Sequence, residues 1–588
     1  MLKTTFRTAR HLARGLVACA LAAGLLCYTS AGTGSQARFS SDPPQSMIVQ
    51  GQNVETVKHS VLEVGGTVTH DLAIIQAVGA QLTATQQERL AEIAPELKIY
   101  GDRTVKTSAR DNDNRNNVHL GDSTGTDPYT GNEWIWEPTA QTTASAMVEA
   151  DLVHADGITG FGVTVAVVDT GLHDFAKVMY RDYEPRILGH YDVVRNKVWK
   201  NPLRQSDGSG HGGHVNGLIV NRDIHAHTQT YYGLAPGADL VIVRAFDDQG
   251  LGTYSDVIAG IDWVVANRDA YGIRVLNLSF SAPPRSHYWD DPLNQAVMAA
   301  WQAGIVVVAS AGNLGPDPMT IGVPGNVPYV ITVGAMTDNF TPEDTSDDLL
   351  ASFSSAGPTH EAFVKPEIVA PGGHVVSSMG WWTEIAAAHQ EYHNGGDYFV
   401  MSGTSQAAAI VSGLAALMLE ADPSLTPDDV KCRLMATARP AVEEEDDDDE
   451  YELAYTVFQQ GAGQVNAYDA VYSSASGCTN RGVDVDLDLA GIQHYAGPAR
   501  QTEDGTYHIL GPDGFVWSDG FVWSDGFVWS DGFVWSDGFV WSDGFVWSDG
   551  FVWSDGFVWS DGFVWSDGFV WSDALTEPAS INLWVEQE

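Results

Sequence analysis

Apolar and polar positions follow two different periods along this chain, and the switch between them outlines its parts. From about residue 145 to 475, short unbroken apolar runs alternate with helically spaced apolar residues. The run 163–168 is continuous and β-branched, as a parallel strand covered on both faces should be. The runs 240–243, 275–278 and 305–308 repeat it. Between them, Val257, Ile258, Ile261, Val264 and Val265 fall at i, i+3, i+4, i+7 and i+8, one face of a helix. This alternation predicts an α/β fold: an open, mostly parallel sheet with helices on both faces and its sites at the carboxyl ends of strands.

Ahead of this region the pattern is that of a small α+β unit, 46–105. Strands are expected at 47–49, 67–75 and 97–100, and helices at 53–63 and 83–93. Polar residues dominate 108–134, so 106–141 reads as an exposed linker or processing region. The α/β domain is assigned to 142–476 and a C-terminal region to 477–588. In the latter, 515–573 holds ten copies of Phe-Val-Trp-Ser-Asp, each pair joined by one Gly. An even period keeps each residue type on one face of an extended chain, and Asp-Gly favours turns. A stacked β-type ribbon is expected there; the competing reading is a disordered low-complexity tail.

The first 31 residues carry Lys3, Arg7, Arg10 and Arg14, then the apolar stretch 16–28 and the small residues Thr29-Ser30-Ala31, with no acid before Asp42. This reads as a secretory signal peptide and predicts a secreted or cell-surface protein. A lipoprotein reading around Cys19 fails because only four residues separate it from Arg14. Of the four Cys, Cys432 and Cys478 would survive cleavage, either paired or as two thiols.

Charge narrows the partners. Over 588 residues, 30 Lys+Arg against 76 Asp+Glu give a formal net charge of −46. Such a polyanion repels phosphate backbones and anionic lipid, which argues against nucleic acid as a partner. Hydrophobic residues at 44% are enough for a real core. The acidic run beginning at Glu443 reads as a solvated loop, with cation attraction as the alternative.

Four motifs carry chemistry. Val165-Ala166-Val167-Val168-Asp169-Thr170-Gly171 ends a buried strand in a carboxylate. Gly210-His211-Gly212-Gly213-His214-Val215 is a glycine turn opening a helix. Ser402-Gly403-Thr404-Ser405-Gln406-Ala407-Ala408 does the same with a hydroxyl, and Val308-Ala309-Ser310-Ala311-Gly312-Asn313 ends a strand in an amide. A serine hydroxyl is a poor nucleophile until a base takes its proton. Imidazole can do so near neutral pH, and a carboxylate on its other nitrogen fixes the tautomer. An amide donor can hold the oxyanion that forms. His214 reads as a structural helix residue.

The Asp…His…Ser order and these flanks resemble the subtilisin-like serine proteases, the subtilases, over roughly 142–475. Gly233-Leu234-Ala235-Pro236-Gly237-Ala238 and Gly461-Ala462-Gly463-Gln464-Val465-Asn466-Ala467 match further family landmarks. The resemblance implies a triad of Asp169, His211 and Ser405, with Asn313 as oxyanion donor. It likens Ser279, Phe280 and Ser281 to the strand that pairs with bound peptide, and Ala311 and Gly312 to the wall of the primary specificity pocket. The unit 46–105 resembles an inhibitory propeptide, so the chain itself is an expected partner beside a polypeptide substrate. No cofactor is needed for this chemistry; structural calcium is common in the family, but no motif fixes a metal site. The chain departs from the family at Gly213, Asn216, Gln406 and Ala409, where Thr, Ala, Met and Pro are usual, and at Phe280-Ser281, usually Leu-Gly. The expectation is a secreted, self-processing serine endopeptidase. The alternative is an inert surface protein whose Trp-rich tail mediates adhesion or self-association.

Overall fold

The computed structural model describes residues 43–107, 143–226, 228–339, 347–444, 451–502 and 506–509, with short strands inside 521–572. The proposed signal segment, most of the 106–141 linker and the centre of the acidic run lie outside the described residues.

The α/β region is built on one large sheet. Its strands run in space Lys197–Val198, Ile187–Asp192, Asp239–Arg244, Thr164–Asp169, Ile273–Leu278, Val306–Ser310, Ile331–Thr337 and Leu349–Leu350, with Ile368–Pro371 also pairing with 331–337. Pairing is parallel through the centre and antiparallel only at the short pieces 197–198 and 349–350. Strand Thr164–Asp169 is buried at every position, because a central parallel strand meets helices or loops on both faces. The helical spacing around Val257 marks Tyr254–Tyr271, which opens on a reciprocal Thr253/Asp256 cap and stops at Gly272 with φ 63°.

Helix Thr404–Ala421 crosses five of the strands and lies against helix His211–Val220. It is long and apolar enough for a membrane span by composition, yet its apolar window is 89% buried inside the protein. It is a core helix, apolar all round because it is covered all round. Cys432 and Cys478 form a disulfide with their Cα atoms 5.3 Å apart.

The N-terminal unit is a four-stranded antiparallel sheet in the order Thr67–Leu72, Ala77–Leu82, Gln45–Gln50, Lys98–Gly101. Helices Val54–Glu63 and Ala84–Ile93 complete it. The strand expected through 75 ends at Leu72, and Ala73–Ile75 make a 3-10 turn instead. Strand Ala77–Leu82 has no counterpart in the sequence pattern. Its Ala-Val-Gly-Ala-Gln-Leu is nearly all buried, so the in/out alternation that marks a strand is missing, and Ala and Gly favour strands little.

One face of this sheet packs Val49, Val78, Ala80 and Leu82 against Val57, Val61 and Leu90 of its own helices. Ile48, Leu72, Ile75 and Ala77 instead join the core of the large domain. Polar ties reinforce the junction: Ala73 N donates to Asp262 at 2.8 Å and Ser255 N to Asp102 at 2.9 Å. The unit then continues into Thr104–Thr107, a strand lying between Leu251–Thr253 and Phe280–Ser281, antiparallel to both. Lys106 and Thr107, read as the head of an exposed linker, are therefore paired on both edges.

Within 521–572 the Phe-Val-Trp-Ser segments pair in parallel with the segment three repeats further on, Phe521 with Phe539 and Phe527 with Phe545.

Candidate active site

The polar groups singled out by sequence meet in two pairs, each at a strand end and a helix start. Asp169 closes strand Thr164–Asp169, and His211 opens helix His211–Val220. Gly210 before it has φ 100°, and a Cβ there would lie 2.6 Å from Thr383 Oγ1, so this turn needs glycine. His211 Nδ1 and Asp169 Oδ1 are 2.7 Å apart, both side chains buried. The carboxylate acceptor assigns the proton to Nδ1 and leaves Nε2 as the basic nitrogen. Nε2 is buried without a hydrogen-bond partner.

A carboxylate that the motif reading passed over holds this loop. Asp207, fully buried, accepts Gly210 N at 2.8 Å and the Thr170 hydroxyl at 2.9 Å on one oxygen, and Gly213 N at 2.7 Å on the other. Burial pushes its carboxyl up, against the pull of these three donors. It stands in for the side-chain cap that Gly210 cannot supply. The signal was an acid four residues before the histidine, inside a Gly- and Ser-rich turn.

Ser405 is the second residue of helix Thr404–Ala421, at the positive end of the helix dipole. Its hydroxyl donates to Ser279 O at 3.1 Å; it is not hydrogen-bonded to His211, whose Nε2 has no partner. Ser279 Oγ in turn donates to Ser405 O at 2.9 Å. Asn313 is tied to the residue before Ser405: its Oδ1 accepts Thr404 N at 3.0 Å and Thr404 Oγ1 at 2.9 Å. Asp169 with His211, and Asn313 with the Ser405 turn, are thus brought together, and the serine hydroxyl rests on the Ser279 carbonyl.

Phe280 and Ser281 pair with Thr107 and Lys106. Phe280 is buried against Phe246, ring centroids 5.3 Å apart. Ala311 N donates to Val333 O at 3.0 Å, and Gly312 takes φ 109°. His214 is fully buried with Nε2 3.1 Å from Phe399 O; burial pushes its imidazole down to about 3. That is a structural histidine. Among the described residues no group of three or more His, Cys, Asp or Glu is placed to hold a metal ion.

The departures at 213 and 216 have local reasons. A Cβ on Gly213 would lie 2.7 Å from His173 Cβ, so Thr would not fit there without a shift. Asn216 Nδ2 donates to Gly171 O at 3.0 Å, holding the turn after Asp169. Gln406 is fully buried with neither amide atom partnered, and nothing in the structure explains it. Ala409 sits inside an unbroken helix, consistent with its high helix propensity.

A serine hydroxyl at a helix start and an imidazole backed by a buried carboxylate are the groups that a serine-type endopeptidase requires. Comparison with known proteins gives its family. Residues 160–463 match the model of the subtilase family, and the chain belongs to that family. It is similar to the serine protease AprX of Bacillus subtilis (strain 168), 40% identical over 319 residues, covering 53% of this chain and 67% of the relative. It is also similar to subtilisin DY of Bacillus licheniformis, 33% identical over 294 residues, covering 50% of this chain and 89% of the relative. A solved structure, fervidolysin from Fervidobacterium pennivorans, described as a keratinolytic enzyme related to subtilisin, shares the fold. Its TM-score is 0.53 at 21% identity, over 82% of this chain and 69% of that one. Catalysis in the family needs no cofactor.

Proposed function

We propose that the chain is a secreted zymogen that processes itself into an active endopeptidase. In this reading Ser405 is the nucleophile, His211 the general base, Asp169 its orienting partner and Asn313 the oxyanion donor. The single observation that carries it is the strand Thr104–Thr107, paired on both edges, on one side with Phe280–Ser281, which directly follows the Ser279 whose carbonyl Ser405 Oγ touches. An extended peptide held by main-chain bonds is how a protease presents substrate, and here the chain's own N-terminal unit supplies it. The unit 46–105 then acts as an intramolecular inhibitor, joined through 106–141 to the catalytic domain 142–476. The basic, then apolar start of the chain supports export.

In the reaction His211 Nε2 takes the proton of Ser405 Oγ as the oxygen attacks the peptide carbonyl. Asp169 stabilises the imidazolium at 2.7 Å, and the tetrahedral oxyanion forms at Asn313. The imidazolium then protonates the leaving amine, and water hydrolyses the ester. The hydroxyl must first leave Ser279 O for His211 Nε2. A peptide N–H that takes the Ser279 carbonyl displaces it.

The test is expression of wild type and Ser405→Ala. Wild type is expected to release the N-terminal unit and hydrolyse casein, while Ser405→Ala stays uncut with activity reduced by about 10⁴-fold or more. Equal release by both, with no casein hydrolysis by wild type, would refute the proposal. Labelling of Ser405 by a fluorophosphonate excludes the inert-scaffold alternative. The repeat tail is assigned to surface attachment or self-association, so deleting 501–588 should lower cell retention and spare hydrolysis.

A further inference from the structure

Arg103 stands at the amino end of the strand Thr104–Thr107, where the N-terminal unit meets the large domain. Its main chain already follows the strand pairing, for Arg103 O accepts Tyr254 N at 2.8 Å. Its side chain turns into the large domain and is only 16% exposed. Nη1 donates to Tyr254 Oη at 2.9 Å and lies 3.4 Å from Asp291 Oδ2, and Nη2 donates to the Pro283 carbonyl. The guanidinium carbon also lies 4.9 Å from the centre of the Tyr254 ring, within the range at which an aromatic face attracts a cation.

Burial separates this contact from the neighbouring one. Asp290, which meets Lys98, is 42% exposed, whereas Asp291 is 3% exposed. The two oxygens of Asp291 have different tasks. Oδ1 accepts Leu293 N at 2.9 Å and Asn294 N at 3.3 Å, capping the helix Pro292–Gln302. Oδ2 accepts Tyr254 Oη at 3.2 Å and faces the guanidinium. Tyr254 is fully buried, and its hydroxyl accepts from Arg103 while donating to Asp291. All three receiving groups belong to the large domain. If the N-terminal unit leaves, they stay and the carboxylate loses its cation. Removing one partner of a buried ion pair is costly, and a second guanidinium would relieve that cost.

We infer that Tyr254, Asp291 and the Pro283 carbonyl form a guanidinium-binding subsite at the far end of the peptide-pairing strand. It anchors the N-terminal unit through Arg103 and, in the released enzyme, takes an arginine side chain of a polypeptide substrate. The inference rests on the proposed self-processing. The substrate then lies in the slot of Thr104–Thr107, between Leu251–Thr253 and Phe280–Ser281. Arginine suits the subsite better than lysine, because a planar fork reaches the carbonyl and the hydroxyl together while lying over the ring.

The test uses the mature wild-type protein and two peptides as inhibitors of casein hydrolysis. One is the native 101–107 sequence, Gly-Asp-Arg-Thr-Val-Lys-Thr; the other carries Arg103→Ala. The native peptide is expected to have a Ki at least about 10-fold lower. The Asp291→Asn enzyme keeps a helix-capping side chain and is expected to bring that ratio below about 3-fold. A purely structural Asp291 would change activity and leave the ratio alone. In wild-type digests of reduced serum albumin, arginine is expected to be enriched at one fixed position on the amino side of the cuts. The wild-type measurements stand alone if the variant does not fold. Equal Ki values, no inhibition by either peptide, an unchanged ratio in Asp291→Asn or no arginine enrichment overturns this inference and leaves the protease reading standing. No casein hydrolysis, with no fluorophosphonate labelling of Ser405, overturns both.

Discussion

The N-terminal unit and the α/β domain solve the same problem, burying a sheet, in opposite ways. The large sheet is covered by its own chain: helices His211–Val220 and Thr404–Ala421 pack together, as do Tyr254–Tyr271 and Pro292–Gln302. The small sheet covers one face with its own two helices and leaves Ile48, Leu72, Ile75 and Ala77 to the neighbour's core. A unit of about 60 residues buries too little to be robust by itself. Its order therefore leans on the surface of the large domain that takes up its second face.

Three experiments bear on that contrast. Leu82→Ala, at a fully buried position of the small core, is expected to cost about 2–5 kcal/mol. Leu414→Ala in the large core should cost a similar amount. Proteolysis after each change should show the small unit lost with Leu82→Ala and the large domain persisting with Leu414→Ala. Equal resistance of the small unit in both would break the comparison.

Acid acts on the other partner. Burial pushes His190 and His374 of the large domain down to about 4 from an ordinary 6.5. The unfolded chain binds those protons near pH 6.5 and the native chain only near 4. Stability is therefore present above 6.5 and lost as pH falls through that window. Denaturant midpoints measured from pH 7 to 4 should fall for the large domain, and a flat profile would contradict the burial argument. The smallest effect is expected at the junction itself. Lys98 and Asp290 bridge the two units at 2.6 Å with side chains 61% and 42% exposed. Lys98→Ala should cost roughly 0–1 kcal/mol and shrink further in salt.

Strongly periodic segments were legible beforehand. The apolar run 163–168 became the central strand Thr164–Asp169, and the spacing around Val257 became helix Tyr254–Tyr271. Strand Ala77–Leu82 was missed because burial on both sides erases alternation. Asp207 was missed because a buried cap announces itself through the amides it accepts, and those come from turns that only the folded chain assembles. Whether Cys432 and Cys478 join could not be read from spacing; the helix Pro427–Ala436 and the segment after Tyr472 bring them together.

The order of residues alone determined the chemistry in reserve: an acid, an imidazole, a hydroxyl and an amide, each at the end of an apolar run or the start of a helix. Residue type and local period are one-dimensional properties, so they survive without coordinates. Tertiary structure decided that Thr104–Thr107 lies between Leu251–Thr253 and Phe280–Ser281, and in which register. Strand register is a pairing between segments more than a hundred residues apart, and a shift of one residue would face a different side chain to Ser281.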